Sequence, residues 1–260
     1  MKEKYFLQVK ANGLGIKVYL NGVPLVEEPE GFGIQETIPV NYWLMHKENS
    51  LHVQLTHPEV VSEENQTEEA QVILFVHDQS SDSPKIAKEI AIFEWPLTDV
   101  KQTFPYNWSI KIDKIIPLTL GSLLWYKTSA IQTVDESAKL SIYNLIRHVP
   151  DLIRNRNFDE AFKFLRLKYQ DEAILESKPL NQIESAVKEL WQFMTSIQGL
   201  KLHSVSIDDL DFSIVGRQHI VQVSRKDGAP AILFEDTDEE VFYGIPLFFA
   251  NINKQWIVIR

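Results

Sequence analysis

The chain has 260 residues, 44% of them hydrophobic, with 26 lysines and arginines against 36 acids and a formal net charge of −10. That length leaves room for one large or two ordinary domains with real cores, and the acidic balance argues against nucleic-acid binding, which needs a clustered positive surface. The lack of cysteine excludes disulfides, thiolate metal sites and cysteine nucleophiles.

The first ten residues, Met1 to Lys10, alternate like a strand and contain no apolar signal core. No window approaches the ~18 apolar residues of a transmembrane helix. The expectation is a cytoplasmic protein with no membrane insertion, or a periplasmic one if a leader ahead of Met1 is removed. Next come Ile16-Lys17-Val18-Tyr19-Leu20, the pair Asn21-Gly22, and Val23-Pro24-Leu25. A period-two run ending in Asn-Gly predicts a hairpin, because both turn positions favour positive φ. Further strands are predicted over Lys4–Val9, Gly15–Leu20, Ile34–Pro39, Ser50–His57, Ala70–His77, Lys88–Trp95, Trp108–Ile112 and Leu123–Ile131. Short strands with turns at regular intervals describe an all-β sandwich over residues 1–132.

Composition changes near residue 130. All the arginines (Arg147, Arg154, Arg156, Arg166, Arg217, Arg225 and Arg260) follow it, while Trp43, Trp95, Trp108 and Trp125 precede it. Three helices are predicted. Asp135 or Ser137 caps the first, which ends at Pro150; Asn157 caps a second carrying Phe158, Ala161, Phe162, Leu165 and Tyr169; Asn181 caps a third carrying Ile183, Val187, Leu190, Trp191 and Met194. After Gly199 the period returns to two, with strands over Leu202–Ile207, Leu210–Val215, His219–Ser224, Ala231–Phe234, Val241–Ala250 and Gln255–Arg260. Helices followed by strands make residues 133–260 an α+β domain, three helices on a curved antiparallel sheet.

Two stretches resemble known families. "VYLNGVPL" with "IPVNYWLMHKENSLHVQL" resembles the jelly-roll, sugar-binding-type accessory domains of multidomain glycosidases, with Lys47-Glu48-Asn49 where that pattern often has a glycine. The resemblance implies a sandwich of jelly-roll or immunoglobulin-like type and carries no catalytic residue. The ending "EVFYGIPLFFANINKQWIVIR" resembles the C-terminal hairpin of the nuclear transport factor two-like superfamily. That implies a cone-shaped α+β domain, in a superfamily that holds isomerases and dehydratases but many more binding and assembly domains.

Chemistry is thinly signalled. There is no nucleophile elbow, no P-loop and no dinucleotide fingerprint, so no cofactor is expected. His46, His52 and His57 read as solvated strand-end residues, since zinc needs three or four converging ligands, and His77-Asp78 point apart along a strand. Asp208, Asp209 and Asp211 lack EF-hand spacing. Glu235, Asp236, Asp238, Glu239 and Glu240 form an acidic hairpin loop and a candidate docking surface for a basic protein. Asp211, Arg217, His219, Phe242, Tyr243 and Phe248 are the candidates for lining a pocket in the second domain. Tyr42-Trp43, Trp95, Tyr106, Trp108 and Trp125-Tyr126 are candidates for a carbohydrate platform, although one ring of each adjacent pair must face the core. Arg147, Arg154, Arg156, Lys163, Arg166 and Lys168 make a basic helix face. The favoured reading is a non-catalytic protein-binding protein, such as a bacterial immunity or adaptor protein for a secreted effector. The alternatives are a small-molecule enzyme or binder using the second domain's pocket, and carbohydrate binding by the sandwich.

Overall fold

The computed structural model describes residues 3–57, 68–78, 88–96, 103–113, 128–236 and 241–259. Among them every strand pairing is antiparallel, and the strands form four sheets accompanied by four helices. By internal contacts the chain divides into Met1–Gly121 and Ser122–Arg260. No helix among the described residues is long and apolar enough to cross a membrane.

The first unit holds β1 (Glu3–Asn12), β2 (Gly15–Leu20), β3 (Val23–Glu28), β4 (Ile34–Pro39), β5 (Asn49–Thr56), β6 (Glu69–Asp78), β7 (Lys88–Trp95) and β8 (Tyr106–Ile112). Their orders are β4-β1-β6-β7 and β3-β2-β5-β8. Alternation does the sorting: Tyr5, Leu7, Val9 and Ala11 of β1 are buried, as are Leu51, Val53 and Leu55 of β5 and Ala91, Phe93 and Trp95 of β7. Phe93 meets Trp108 at 5.2 Å and Trp95 meets Tyr106 at 4.8 Å, so rings from the two sheets share one interior.

The Asn21-Gly22 turn has φ of 55° and 77°, as its hairpin requires. Asn21 does more than turn. Its Nδ2 donates to the Trp43 carbonyl at 2.6 Å and to Asn49 Oδ1 at 2.7 Å, while its Oδ1 accepts from the Ser50 N–H at 2.9 Å. Asn49 in turn accepts from the Met45 N–H and donates to the Met45 carbonyl, both at 2.7 Å. Both amides are fully buried, and these bonds satisfy the backbone of the 43–50 loop in place of a ladder.

The second unit opens with α1 (Glu136–Arg154), whose N-cap Asp135 accepts from the Ala138 N–H at 2.8 Å. Pro150 does not end this helix; it lies within it, buried beside Ile146, Val149 and Ile153, and apolar burial offsets the one missing N–H. The single stripe predicted after Asn157 is two helices, α2 (Phe158–Phe164) and α3 (Arg166–Glu176), broken at Leu165. The break keeps Leu165 buried and lets Phe162 stack on Tyr169 at 5.1 Å. Pro179, not Asn181, precedes α4 (Leu180–Met194). The remaining strands are β9 (Leu200–Leu202), β10 (Leu210–Val215), β11 (Ile220–Arg225), β12 (Ile232–Asp236), β13 (Val241–Ile245), β14 (Leu247–Ile252) and β15 (Gln255–Val258). They form the sheets β10-β11-β14-β15 and β13-β12-β9.

Three of the strands read in the sequence change most. The strand predicted over Leu202–Ile207 stops at Leu202 and gives way to a 3-10 turn at Ile207–Asp209, where Asp209 Oδ2 accepts from the Ser206 hydroxyl at 2.7 Å. Val241–Ala250 is two strands in different sheets, separated by Pro246, which has no N–H for a ladder. Thr128 to Ile131 are not a strand, and residues 123–127 lie outside the described residues. Ile131 instead packs into the second core, and its N–H bonds the Gln218 carbonyl at 2.6 Å. The division between units therefore falls before these residues rather than at 132.

Asn49→Ala strands buried partners on Asn21 and Met45, so urea unfolding should show a loss of about 3 kcal/mol, against about 0.5 kcal/mol or less for the exposed Asn107→Ala. The Tyr169 phenol is pushed well above its ordinary 10.0, chiefly by burial and secondarily by Glu172. The folded chain therefore holds this proton more tightly than the unfolded chain. Its contribution to stability is whole below that ordinary value and is lost as the pH rises beyond it. Tyr169→Phe should accordingly flatten the alkaline limb of the stability–pH curve.

Candidate functional site

A cavity of about 200 Å³ lies in the second unit, between α1 and the edge of the β13-β12-β9 sheet. Helical spacing brings Ile146, Arg147, Pro150, Asp151 and Arg154 to one side of α1. The facing wall is the segment that leaves β9, with His203 and Ser204, together with Ala231 and Ile232 at the start of β12. Ile146, Pro150, Ala231 and Ile232 are buried and make an apolar floor. Arg147, Asp151 and Arg154 are exposed at its rim.

His203 is fixed on three sides. Its N–H donates to the Leu233 carbonyl at 2.9 Å, and its carbonyl accepts from an Arg225 guanidinium nitrogen at 2.8 Å. Its ring Nε2 lies 2.8 Å from Glu235 Oε2. An ionised carboxylate only accepts, so Nε2 carries the proton in this pair and Nδ1 is left to face other groups. Arg147 is also held. Its guanidinium sits 5.8 Å from the centroid of Tyr143, whose hydroxyl donates to the Val205 carbonyl at 2.9 Å. No carboxylate lies within ion-pair distance of Arg147 among the described residues, whereas Arg154 has Asp151 at 3.8 Å. A guanidinium beside an apolar floor can hold an anion with an apolar body.

The residues proposed from sequence are distributed differently. Glu235 is the partner of His203, and Asp236 is only 4% exposed, so neither stands out as a docking charge. Asp238, Glu239 and Glu240 lie outside the described residues. Asp211 is exposed on the edge strand β10, where it accepts from the Ser213 hydroxyl at 2.7 Å. Arg217 takes a φ of 55° in the β10–β11 turn. His219 Nδ1 lies 2.7 Å from the Thr128 carbonyl and fastens that segment to the sheet. Phe242 is 58% exposed on β13, Tyr243 packs against the core, and Phe248 is buried on β14 in the other sheet. Pro246 separates Phe242 and Tyr243 on β13 from Phe248 on β14.

Other candidates are absorbed into the fold. Asp209 is held below the usual carboxylate range by its bonds to Ser206, and His57 packs on Phe104 at 3.8 Å. No group of three or more metal-ligating side chains occurs among the described residues. Trp43 and Trp95 are buried, while Trp125 and Tyr126 lie outside the described residues. Of the basic face, Lys163 pairs with Glu160 at 2.6 Å and Arg156 donates to the Thr195 carbonyl at 3.3 Å. The pairing of His203 with Glu235 was not visible in the sequence, because it depends on the β9–β12 register. The two-turn spacing of Arg147 and Arg154 was the one legible sign of this cavity.

Comparison with known proteins finds no matching family model, no matching curated protein and no matching solved structure.

Arg225 donates to the carbonyls of His203 and Pro230, at 2.8 and 3.3 Å. Arg225→Ala should therefore lower the stability of the chain by about 2 kcal/mol in urea titrations.

Proposed function

We propose that the protein is a non-catalytic binding protein that docks another protein through the helical layer of its second unit. The carrying observation is α4. Its apolar arc is wider than the core it packs against: Ile183, Trp191 and Met194 are buried, while Leu190 and Phe193, on the flank of the same arc, are 54% and 58% exposed. Ala186, exposed one turn before Leu190, extends the stripe. Single exposed apolar residues are ordinary, but a large pair on one helix flank is what a partner buries. Covering both side chains is worth ~1.5–3 kcal/mol each.

The net charge of −10 favours a basic partner through electrostatic steering. A bacterial immunity or adaptor protein paired with a secreted effector is one form this activity takes. The finer fold reading belongs with it. Two four-stranded sheets sharing an aromatic interior support a jelly-roll or immunoglobulin-like sandwich, and helices beside antiparallel sheets support a nuclear transport factor two-like cone.

A photo-crosslinker at Gln192, in the tagged full chain within its own cells, should capture one specific partner. Purified, that partner should bind the Leu190→Asp, Phe193→Ser double variant at least tenfold more weakly, with the variant's thermal midpoint unchanged. Undiminished binding overturns the proposal. So does sedimentation showing that the face is covered by a second copy of this chain.

A further inference from the structure

The cavity between α1 and β9 is separate from the α4 stripe, and it carries its own chemistry. We infer that it is a binding site for a small carboxylate, with the apolar body on the floor formed by Ile146, Pro150, Ala231 and Ile232 and the carboxylate on Arg147. Three observations converge on this ligand class. First, the volume of about 200 Å³ falls below the ~300–1,000 Å³ of pockets for drug-sized ligands, so the site suits a metabolite-sized molecule.

Second, the charge is unbalanced in one place. Asp151 and Arg154, 3.8 Å apart, offset one another, and His203 and Glu235 form a closed pair at 2.8 Å. Arg147 alone on this rim has no carboxylate. Third, Arg147 is organised before any ligand arrives. Tyr143 is anchored to the Val205 carbonyl at 2.9 Å and supports the guanidinium from 5.8 Å. The planar guanidinium matches a carboxylate with two parallel N–H···O bonds. Ser204, beside His203 on the facing wall, also lines the cavity and brings a hydroxyl to it. With Asp151 beside Arg154 and Glu235 on His203, the charge left over at this rim is positive and favours an anion over a cation.

Calorimetric titration of the full chain tests the site with benzoate and hexanoate as probes, and with benzyl alcohol, benzylamine and inorganic phosphate as comparisons. Both carboxylates should bind saturably below about 10 mM and raise the thermal midpoint; benzyl alcohol should bind at least tenfold more weakly, and benzylamine and phosphate not at all. Arg147→Gln should weaken benzoate about ten- to a hundredfold. Arg154→Gln, which removes a charge already matched by Asp151, should change it by about threefold or less. Arg147 is exposed, so an unchanged thermal midpoint confirms that Arg147→Gln folds. The Leu190→Asp, Phe193→Ser variant should bind benzoate as the parent does, which separates this site from the docking surface. Absence of saturable carboxylate binding overturns the inference. Equal binding by Arg147→Gln does so as well, as does phosphate binding tighter than benzoate.

Discussion

The guanidinium of Arg225 organises the corner of the second unit where β9 ends and β12 begins. From the end of β11 it reaches the carbonyls of His203 and Pro230, while the backbone N–H of Arg225 closes the following turn on the Ala229 carbonyl at 2.8 Å. One cation thus satisfies backbone acceptors belonging to the exit of β9 and the entry to β12. Charged donors make the stronger bonds, and an unmet buried carbonyl is costly. With the main chain held there, the imidazole of His203 meets the Glu235 carboxylate at 2.8 Å. The position of the cavity follows from that grip more than from any feature of the helix itself.

The helices of the second unit supply more apolar surface than the core consumes. Ile142, Ile146, Val149 and Ile153 of α1 are all buried, and beside them this helix presents charge and the single exposed Leu140. α4 divides differently and leaves Leu190 and Phe193 in water. Lys188, bonded to both Asp159 and Glu184 at 2.5 Å, sits between these extremes and fastens α4 to α2 with exposed charges, a weak tie on its own. The core therefore fixes where α4 lies, and part of its apolar arc stays uncovered. The same division of labour explains why an acidic chain keeps a compact basic stretch on α1: the arginines border a surface already rigid beneath them.

Much of the strand pattern was legible because period two leaves a clear mark. Tyr5, Leu7, Val9 and Ala11 alternate in sequence and in burial alike, and the Asn21-Gly22 turn follows from two residues that tolerate positive φ. The helical half was harder. Pro150 carries a stop signal, but the burial that lets α1 pass through it is a tertiary fact. Leu165 belongs to an unbroken 3.6-residue stripe, yet the chain breaks there so that Phe162 and Tyr169 can stack. Leu190 fits the core stripe by spacing and still lies outside, since spacing gives an arc and not the width of what covers it. For the site the same limit applies more strongly. His203 and Glu235 are 32 residues apart and meet only through the register of β9 on β12. Phe242 and Tyr243 lie in a different sheet from Phe248 because the chain changes sheet at Pro246, which spacing alone does not reveal.

The Asn21-Gly22 pair also sets how the first unit ages. Asparagine followed by glycine is the dipeptide most prone to deamidation, since the small glycine lets its backbone nitrogen attack the asparagine side chain and close a succinimide. In the folded chain the Asn21 amide is fully buried and tied to Trp43, Asn49 and Ser50, so that attack requires the network to come apart first. The residue that builds the hairpin is thereby shielded by the loop it helps to fold. Each unfolding excursion removes the shield, and a succinimide opening to aspartate or isoaspartate would put a negative charge where the refolding chain needs an amide donor. Chemical damage at this one peptide bond is thus a record of how often the unit has opened.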